Sequence, residues 1–213
     1  MITYKALDDE DQQIFLDIAC FFIGSSKQSP SYMWDACGFL PRKGIEVLSI
    51  MSLIKIDKDS KLMMHNQLRD LGREIVHQEN KTKPQKRSRL WICEDAVDVL
   101  DGNKGTSNIE ALCLEKNDRT RSYTSEQFKK LTNLRFLQVK AANLAGDFQG
   151  LLPKLRWLQW KDCPSDFAAA NFYLNKLVVL DLSWSEISED WGGWGPLKVR
   201  YEESIPHVTN AVL

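Results

Sequence analysis

The histidine at position 65 has a residue type and a place in the chain that could serve phosphate chemistry. It follows a short apolar stretch, Leu62–Met64, which we predict to be a strand, and it precedes a predicted helix from Asn66 to Gln78. The first turn of a helix offers unpaired N–H groups and the positive end of the helix dipole, and together these bind anions. An imidazole at such a point can donate a hydrogen bond to a phosphate oxygen. The residue pattern by itself also permits, and favours, a structural role for His65.

The other chemically versatile side chains form no recognisable catalytic or metal-binding set. The three histidines, at positions 65, 77 and 207, have no metal-ligand spacing with the cysteines. The cysteines are odd in number and none forms a Cys-x-x-Cys pair; they are Cys20, Cys37, Cys93, Cys113 and Cys163. We therefore predict free thiols in a reducing compartment, no metal site and no enzymatic activity.

Four helices and a hairpin are predicted in the region that contains His65. In chain order they are a helix from Asp8 to Phe22, a helix over Ser31–Cys37, a helix from Pro41 to Leu53, strands at residues 53–56 and 62–64, and the helix over Asn66–Gln78. Asp8 is a suitable N-cap, and the polar turn between the two strands favours a hairpin. This order is typical of a winged-helix domain, which we assign to residues 1–90.

A winged helix can bind DNA through its third helix, which makes DNA binding an alternative to consider. Here that helix offers only Arg42 and Lys43 as basic residues, and its body is mostly apolar. A helix that reads DNA presents polar and cationic side chains to the groove. The formal net charge of −1 gives no overall attraction for nucleic acid or an anionic membrane. Nucleic-acid binding is therefore the less favoured reading.

A leucine-rich pattern recurs in the second half of the chain. It has the form Leu-x-x-Leu-x-Leu, with Ile, Val or Trp at some positions, and its copies cover residues 109–114, 134–139, 155–160 and 177–182. The intervals between copies suit leucine-rich repeats, in which each copy forms a short strand and neighbouring copies share one core. We predict a mixed α/β protein in which an irregular leucine-rich repeat solenoid, residues 106–190, follows the winged helix. A chance recurrence of leucines is the alternative.

The remaining segments show neither pattern. Residues 79–91 crowd Lys and Arg around Pro84, which favours a solvated linker over a nucleic-acid or nuclear-import patch. We assign residues 91–105 as the linker between the domains and residues 191–213 as an irregular tail. No apolar run reaches the length of a membrane span, and the chain opens on no signal peptide. A cytoplasmic protein is expected, with the nucleus as a second location.

Several motifs carry a specific resemblance to a known family. They are Phe15–Phe22 (FLDIACFF), Met64–Val76 (MHNQLRDLGREIV), Ser88–Trp91 (SRLW), Asn103–Thr106 (NKGT), and Leu155–Trp160 (LRWLQW) followed by Cys163-Pro164. Together they resemble plant disease-resistance proteins of the TIR, nucleotide-binding (NB-ARC), leucine-rich repeat class. The resemblance extends over residues 4–197. In that family the winged helix, also called ARC2, ends the nucleotide-binding switch region and precedes the repeats.

The resemblance implies a nucleotide-sensing role for Met64, His65 and Asn66. They match the family's Met-His-Asp motif, whose histidine contacts the β-phosphate of bound ADP and helps to hold the receptor in its off state. Asn66 stands where the family has Asp, and either residue can cap a helix. The loss of the negative charge is expected to weaken the off state.

The family's other functional parts are not found in this sequence. It contains neither a TIR domain, to which the family's NAD-cleaving activity belongs, nor a phosphate loop of the Gly-x-x-x-x-Gly-Lys-Ser/Thr type. The chain is therefore expected to be a fragment, a truncated gene product or a mispredicted gene model. ADP or ATP would bind the full-length parent, and this chain alone is expected to bind ADP weakly or not at all.

The resemblance also implies protein partners. The repeats would mediate autoinhibition or recognition, by contacting the nucleotide-binding core of the same or another receptor, or a pathogen effector. The function expected is thus part of a plant immune receptor that signals in defence through an ADP/ATP switch. The alternatives are a standalone repeat adaptor that modulates other receptor chains, and a truncated product without function.

Overall fold

The computed structural model describes residues 2–116, 118–166, 168–185 and 187, and these form two compact units. The first unit extends to Lys81 and the second begins at Thr82. The predicted irregular tail, residues 191–213, lies outside the described residues. Among the described residues, no helix is both long enough and apolar enough to cross a membrane.

The first unit consists of helices and one short hairpin. Its elements are α1 (Ile2–Lys5), α2 (Asp9–Asp17), a π turn (Ile18–Phe22), α3 (Gln28–Ala36), α4 (Pro41–Ile50), β1 (Lys55–Ile56), β2 (Leu62–Met63) and α5 (Asn66–Glu79). The predicted helices and hairpin are all present, with bounds that differ by a few residues. The apolar face of α2 and the π turn is the centre of the unit's core, with Ile14, Phe15 and Ile18 fully buried.

Helix α2 begins as its sequence predicts. Asp8 is the N-cap, and its carboxylate accepts a hydrogen bond from the Asp11 N–H at 2.9 Å. Lys43 on α4 also donates to Asp8, at 2.5 Å, and this hydrogen bond lowers the pKa of the Asp8 carboxyl. Burial raises the pKa of Asp11, whose carboxylate lies where α2 passes close to Gly44 of α4. The acidic start of α2 thus holds α2 and α4 together.

The second unit is built around two parallel sheets. Its strands are β3 (Arg89–Leu90), β4 (Ala111–Leu114), β5 (Ser122–Thr124), β6 (Phe136–Lys140), β7 (Asn143–Asp147), β8 (Trp157–Lys161), β9 (Ala168–Ala170) and β10 (Val179–Asp181). One sheet has the order β3-β4-β6-β8-β10 and the other has the order β5-β7-β9. From β4 onward, successive strands alternate between the sheets. The chain therefore winds as a coil with a sheet on each side.

A row of leucines runs through the interior of this coil. Leu90, Leu112, Leu137, Leu158 and Leu180 are paired in register across the five-stranded sheet, and each is at most 1% exposed. Because strand side chains alternate between faces, one leucine per strand at this position stacks directly on its neighbours. The repeating pattern in the sequence corresponds to this row and to the next inward row.

The segment predicted as a linker differs from expectation. Residues 91–105 contain a helix, α6 (Cys93–Asp101), and buried residues of α6 such as Val99 and Leu100 belong to the same core as the leucine row. Strand β3 extends the parallel sheet one position before β4. The structural division therefore falls at residue 81, not at the predicted residue 90. A two-residue strand and a single amphipathic helix are too short for periodicity to link them to the repeats.

The basic segment before β3 also differs from a solvated linker. Lys83 and Lys86 are exposed, but Arg87 and Arg89 are only 3% and 0% exposed. Arg87 forms an ion pair with Asp95 of α6 at 2.8 Å. A guanidinium can be buried when a carboxylate and hydrogen bonds compensate its charge, and this pairing is invisible in the one-dimensional sequence.

The corners that follow the strands of the larger sheet use residues other than glycine in left-handed backbone conformation. Ala141, Asp162 and Trp184 have φ values of 57°, 51° and 66°. The strain at the first two corners is offset by hydrogen bonds to the next turn, from Ala141 N–H to Lys161 O at 2.9 Å and from Asp162 N–H to Ser183 O at 3.3 Å.

Candidate functional site

His65 lies at the junction that the sequence predicts, between the hairpin and α5. It is the N-cap of α5, and its Nδ1 accepts a hydrogen bond from the Gln67 N–H at 3.2 Å. An imidazole nitrogen that accepts a hydrogen bond carries no proton, so the proton of the neutral ring is on Nε2. The exposed side chain therefore combines two functions. Nδ1 caps the helix, and Nε2–H remains a donor for another group.

An open cleft of about 610 Å³ adjoins His65. Its lining residues are Ser52, Leu53, Ile54, Lys55, Met63, Met64, His65, Gln67 and Leu68. Leu53 and Ile54 are 3% and 2% exposed and form an apolar floor. Lys55 and His65 are exposed and place an ammonium and an imidazole on the rim. The cleft thus offers an apolar surface beside groups that can donate to an anion.

The structure brings two of the three predicted site residues to this cleft. Met64 is half-buried and lines it together with His65. Asn66 is exposed, is the first residue of α5, and is not among the lining residues. The sequence predicts the cap of this helix at position 66, and that prediction is wrong. The cap is His65, because its extended backbone, φ −66° and ψ 142°, directs the side chain to the Gln67 N–H.

Lys55 and Gln67 line the cleft and were missed from the sequence. Lys55 pairs with Met63 across the hairpin, so both residues point to the same face. Once the hairpin is predicted, this register would have placed Lys55 near His65. The sequence alone left the register open because the turn has no Asn-Gly or Asp-Gly pair.

The described residues give no support for a metal site and little support for a DNA-binding surface. Among the described residues, no group of three or more His, Cys, Asp or Glu side chains is arranged to hold a metal ion. Of the two basic residues at the start of α4, Lys43 is paired with Asp8. A cation that is already paired contributes less to a DNA-binding surface.

Comparisons with known proteins relate this chain to plant disease resistance. Residues 8–80 match the family of the Roq1-like disease resistance protein winged-helix domain, so the first unit is a winged-helix domain. The disease resistance proteins RPP2A and RPP5 of Arabidopsis thaliana are each 36% identical to the chain, over 199 and 203 residues. RUN1 of Vitis rotundifolia is 30% identical over 217 residues.

These alignments cover most of this chain but a small part of each relative. They include 90%, 92% and 88% of this chain, and only 15%, 14% and 16% of RPP2A, RPP5 and RUN1 respectively. The alignments thus run well beyond the winged helix into the second unit. Over about nine-tenths of its length the chain is therefore similar to plant disease-resistance proteins, and residues 8–80 carry their winged-helix domain.

Proposed function

We propose that this chain is the winged-helix and first leucine-rich repeat part of an immune receptor that is switched by exchange of ADP and ATP. The winged-helix match and the disease-resistance relatives support the receptor role. The placement of His65 on a cleft at the start of α5 is the observation that carries the switch. The proposed role is regulatory and not enzymatic.

In this proposal the second unit is the beginning of a leucine-rich repeat solenoid. Its parallel strands, paired in register, and its row of buried leucines support this assignment. The repeats would bind protein partners, namely the nucleotide-binding core of the same or another receptor, or a pathogen effector. The location proposed is inside the cell, in the cytoplasm or the nucleus.

The winged helix would contribute one edge of the nucleotide site. Bound ADP would present the negative charge of its β-phosphate, and the Nε2–H of His65 would donate a hydrogen bond to a phosphate oxygen. The N-terminus of α5 adds the favourable end of the helix dipole. Met64 lines the same cleft as the imidazole, and Asn66 starts the helix. These residues fit one side of a phosphate group, so other receptor domains would supply the remaining contacts.

The test compares, in the full-length receptor, the histidine that caps α5 with a histidine within α5. His65→Ala removes the proposed donor, whereas His77→Ala removes a half-buried histidine near the other end of the helix, whose Nδ1 lies 3.9 Å from a Glu74 carboxylate oxygen. We expect His65→Ala to lose ADP faster and to signal without a pathogen, and His77→Ala to resemble the wild type. Unchanged ADP content and basal signalling in His65→Ala would refute the proposal.

The alternatives for the isolated product are an adaptor that modulates other receptor chains and a truncated product without function. Co-precipitation with a full-length receptor, lost when the repeat unit is omitted, would favour the adaptor.

A further inference from the structure

His65 is held from both sides by one short segment, residues 19–25, which we name the clamp segment. On the side that precedes His65, the clamp segment pairs with β2. The Gly24 N–H donates to Leu62 O at 2.7 Å, and the Leu62 N–H donates to Ser25 O at 2.8 Å. Leu62 is three residues before His65, so these two hydrogen bonds fix the backbone that leads into the cap.

On the side that follows His65, the clamp segment contacts α5. Arg73 Nε donates to the Ala19 carbonyl oxygen at 3.1 Å. Gly72 comes so close that a Cβ placed on it would lie 2.5 Å from the Ala19 Cβ and 3.2 Å from Phe15 Cε1. No side chain larger than hydrogen fits there without displacement. Gly72 therefore lets α5 come close enough to Ala19 for Arg73 to donate to its carbonyl oxygen.

The Ala19 carbonyl has a physical need for this donor. It lies in the π turn that ends the first long helix, where an i to i+5 pattern would pair it with the Gly24 N–H. That N–H donates to Leu62 instead. A carbonyl near a helix end, in a buried residue such as Ala19, is costly to leave unpaired. The Arg73 guanidinium therefore satisfies the carbonyl and joins α5 to the π turn.

We propose that Arg73 is a positioning residue for His65. Arg73 joins α5 to the π turn and so fixes the axis of the helix that His65 caps. Leu62 fixes β2, the strand that leads to His65. A hydrogen-bond donor acts on a ligand only when it is held within a few tenths of an ångström of its place. The inference rests on the proposed contact between His65 and nucleotide. It joins two motifs far apart in sequence, Phe15–Phe22 and Met64–Val76, into one unit.

The test measures dissociation of ADP from the full-length receptor. Arg73→Met keeps the length and the apolar part of the side chain but removes the donor. Arg69→Met is the matched control, because Arg69 lies one turn earlier on α5 and pairs only with its neighbour Asp70 among the described residues. We expect Arg73→Met to release ADP about tenfold faster, a change of the size expected when one hydrogen bond is lost. Arg69→Met should stay within about twofold of the wild type.

Two further variants separate positioning from general stability. Ile14→Val removes the Cδ1 methyl group, which lies close to Gly44 of α4, and is expected to lower the melting temperature without changing any residue of α5 or of the clamp segment. Arg73→Lys restores a cationic donor. We expect Ile14→Val to release ADP as slowly as the wild type. Arg73→Lys should release ADP more slowly than Arg73→Met but faster than the wild type.

Each outcome decides between the claims. If Arg73→Met and Ile14→Val speed ADP release equally at equal losses of melting temperature, Arg73 has only a structural role and the inference fails. If His65→Ala speeds release but Arg73→Met does not, the inference fails and the proposed function stands. If His65→Ala leaves release unchanged, the proposed function fails and the inference fails with it.

Discussion

At the scale of single residues, the two ring nitrogens of His65 have different roles. Nδ1 accepts from the Gln67 N–H and caps α5, so only Nε2 is free to donate. The cap therefore sets the tautomer that a phosphate contact needs. A residue that capped the helix equally well without a second nitrogen would preserve the fold and lose the donor.

The neighbouring position offers a direct test of charge at the start of α5. The first turn of this helix has no acidic residue, and Asn66 is its first residue. Asn66→Asp adds a negative charge near the positive end of the helix dipole. This charge should raise the unfolding free energy of the winged helix by about 0.5 kcal/mol. Urea unfolding of the 213-residue chain at pH 7 measures this gain.

The gain from Asn66→Asp should disappear at a pH low enough to protonate the new carboxyl group, and Asn66→Gln serves as the uncharged control. In the full-length receptor, the same Asn66→Asp change should lower basal signalling if the charge strengthens the off state. A stability gain that persists in acid would show that the helix dipole is not its cause.

A second prediction for single residues concerns the reactivity of the buried cysteines. All five cysteines are free thiols, and burial raises the pKa of Cys113 to about 12 and raises that of Cys163 as well. Because the thiolate is the reactive form, we expect neither residue to be alkylated by iodoacetamide at pH 8 in the folded chain. Both should react after unfolding in urea. Mass spectrometry of the peptides gives the extent of alkylation, and rapid labelling of folded Cys113 would contradict the prediction.

At the scale of elements, α6 with β3 closes the first turn of the coil. The core residues of α6 cover the leucine row at the end where the sheet begins, and Arg87 and Asp95 join the segment before β3 to this helix. A coil of parallel strands exposes its inner leucines at each end unless another element covers them. The segment predicted as a linker thus has the position of a terminal cap.

The capping role of α6 can be measured through one buried leucine. Leu100 is 0% exposed, and Leu100→Ala should lower the unfolding free energy of the second unit by about 2–4 kcal/mol through lost burial and a new cavity. Asp98→Ala, an exposed position on the same helix, should change it by less than about 0.5 kcal/mol. Urea unfolding followed by circular dichroism compares the two. Similar small effects would mean that α6 is not part of the cooperative core.

Different side chains stabilise the turns that follow the strands of the larger sheet. The sequence has no regular asparagine after each strand, and other side chains, as donors or as acceptors, form the hydrogen bonds of these turns. Trp160 Nε1 donates to Ala142 O at 2.9 Å, and the Cys163 N–H donates to Ser185 Oγ at 2.9 Å. Buried backbone groups must be paired, and different side chains can serve this purpose in successive turns.

At the scale of the whole molecule, the contacts available for a nucleotide are few. A dissociation constant of 1 μM needs about 8 kcal/mol of binding free energy, whereas one hydrogen bond to a charged group contributes about 1.5–3 kcal/mol. In the proposed site, His65 would supply one such bond. We expect calorimetry with ADP to give no measurable binding to the 213-residue chain at micromolar concentration, while the full-length receptor binds. Micromolar binding by this chain would contradict the one-edge site.

Elements with local and repeated residue patterns could be predicted from the sequence. The polar cap Asp8 specified the start of α2, the 3.6-residue apolar period specified α2 and α5, and the leucine spacing specified the strands β4, β6, β8 and β10. His65 could be placed at its helix start for the same reason, because a strand end and a helix start are both encoded within a few residues.

Features that depend on residues far apart in sequence could not be predicted and are visible only in the folded chain. The pairing of β3 with β4, the burial of Arg87 on Asp95, the place of Lys55 on the cleft and the contact of Arg73 with Ala19 belong to this group. No local pattern encodes them, because each depends on which surfaces meet when the core forms. The phosphate chemistry suggested by His65 was readable in the sequence, but the clamp that holds it became visible only in three dimensions.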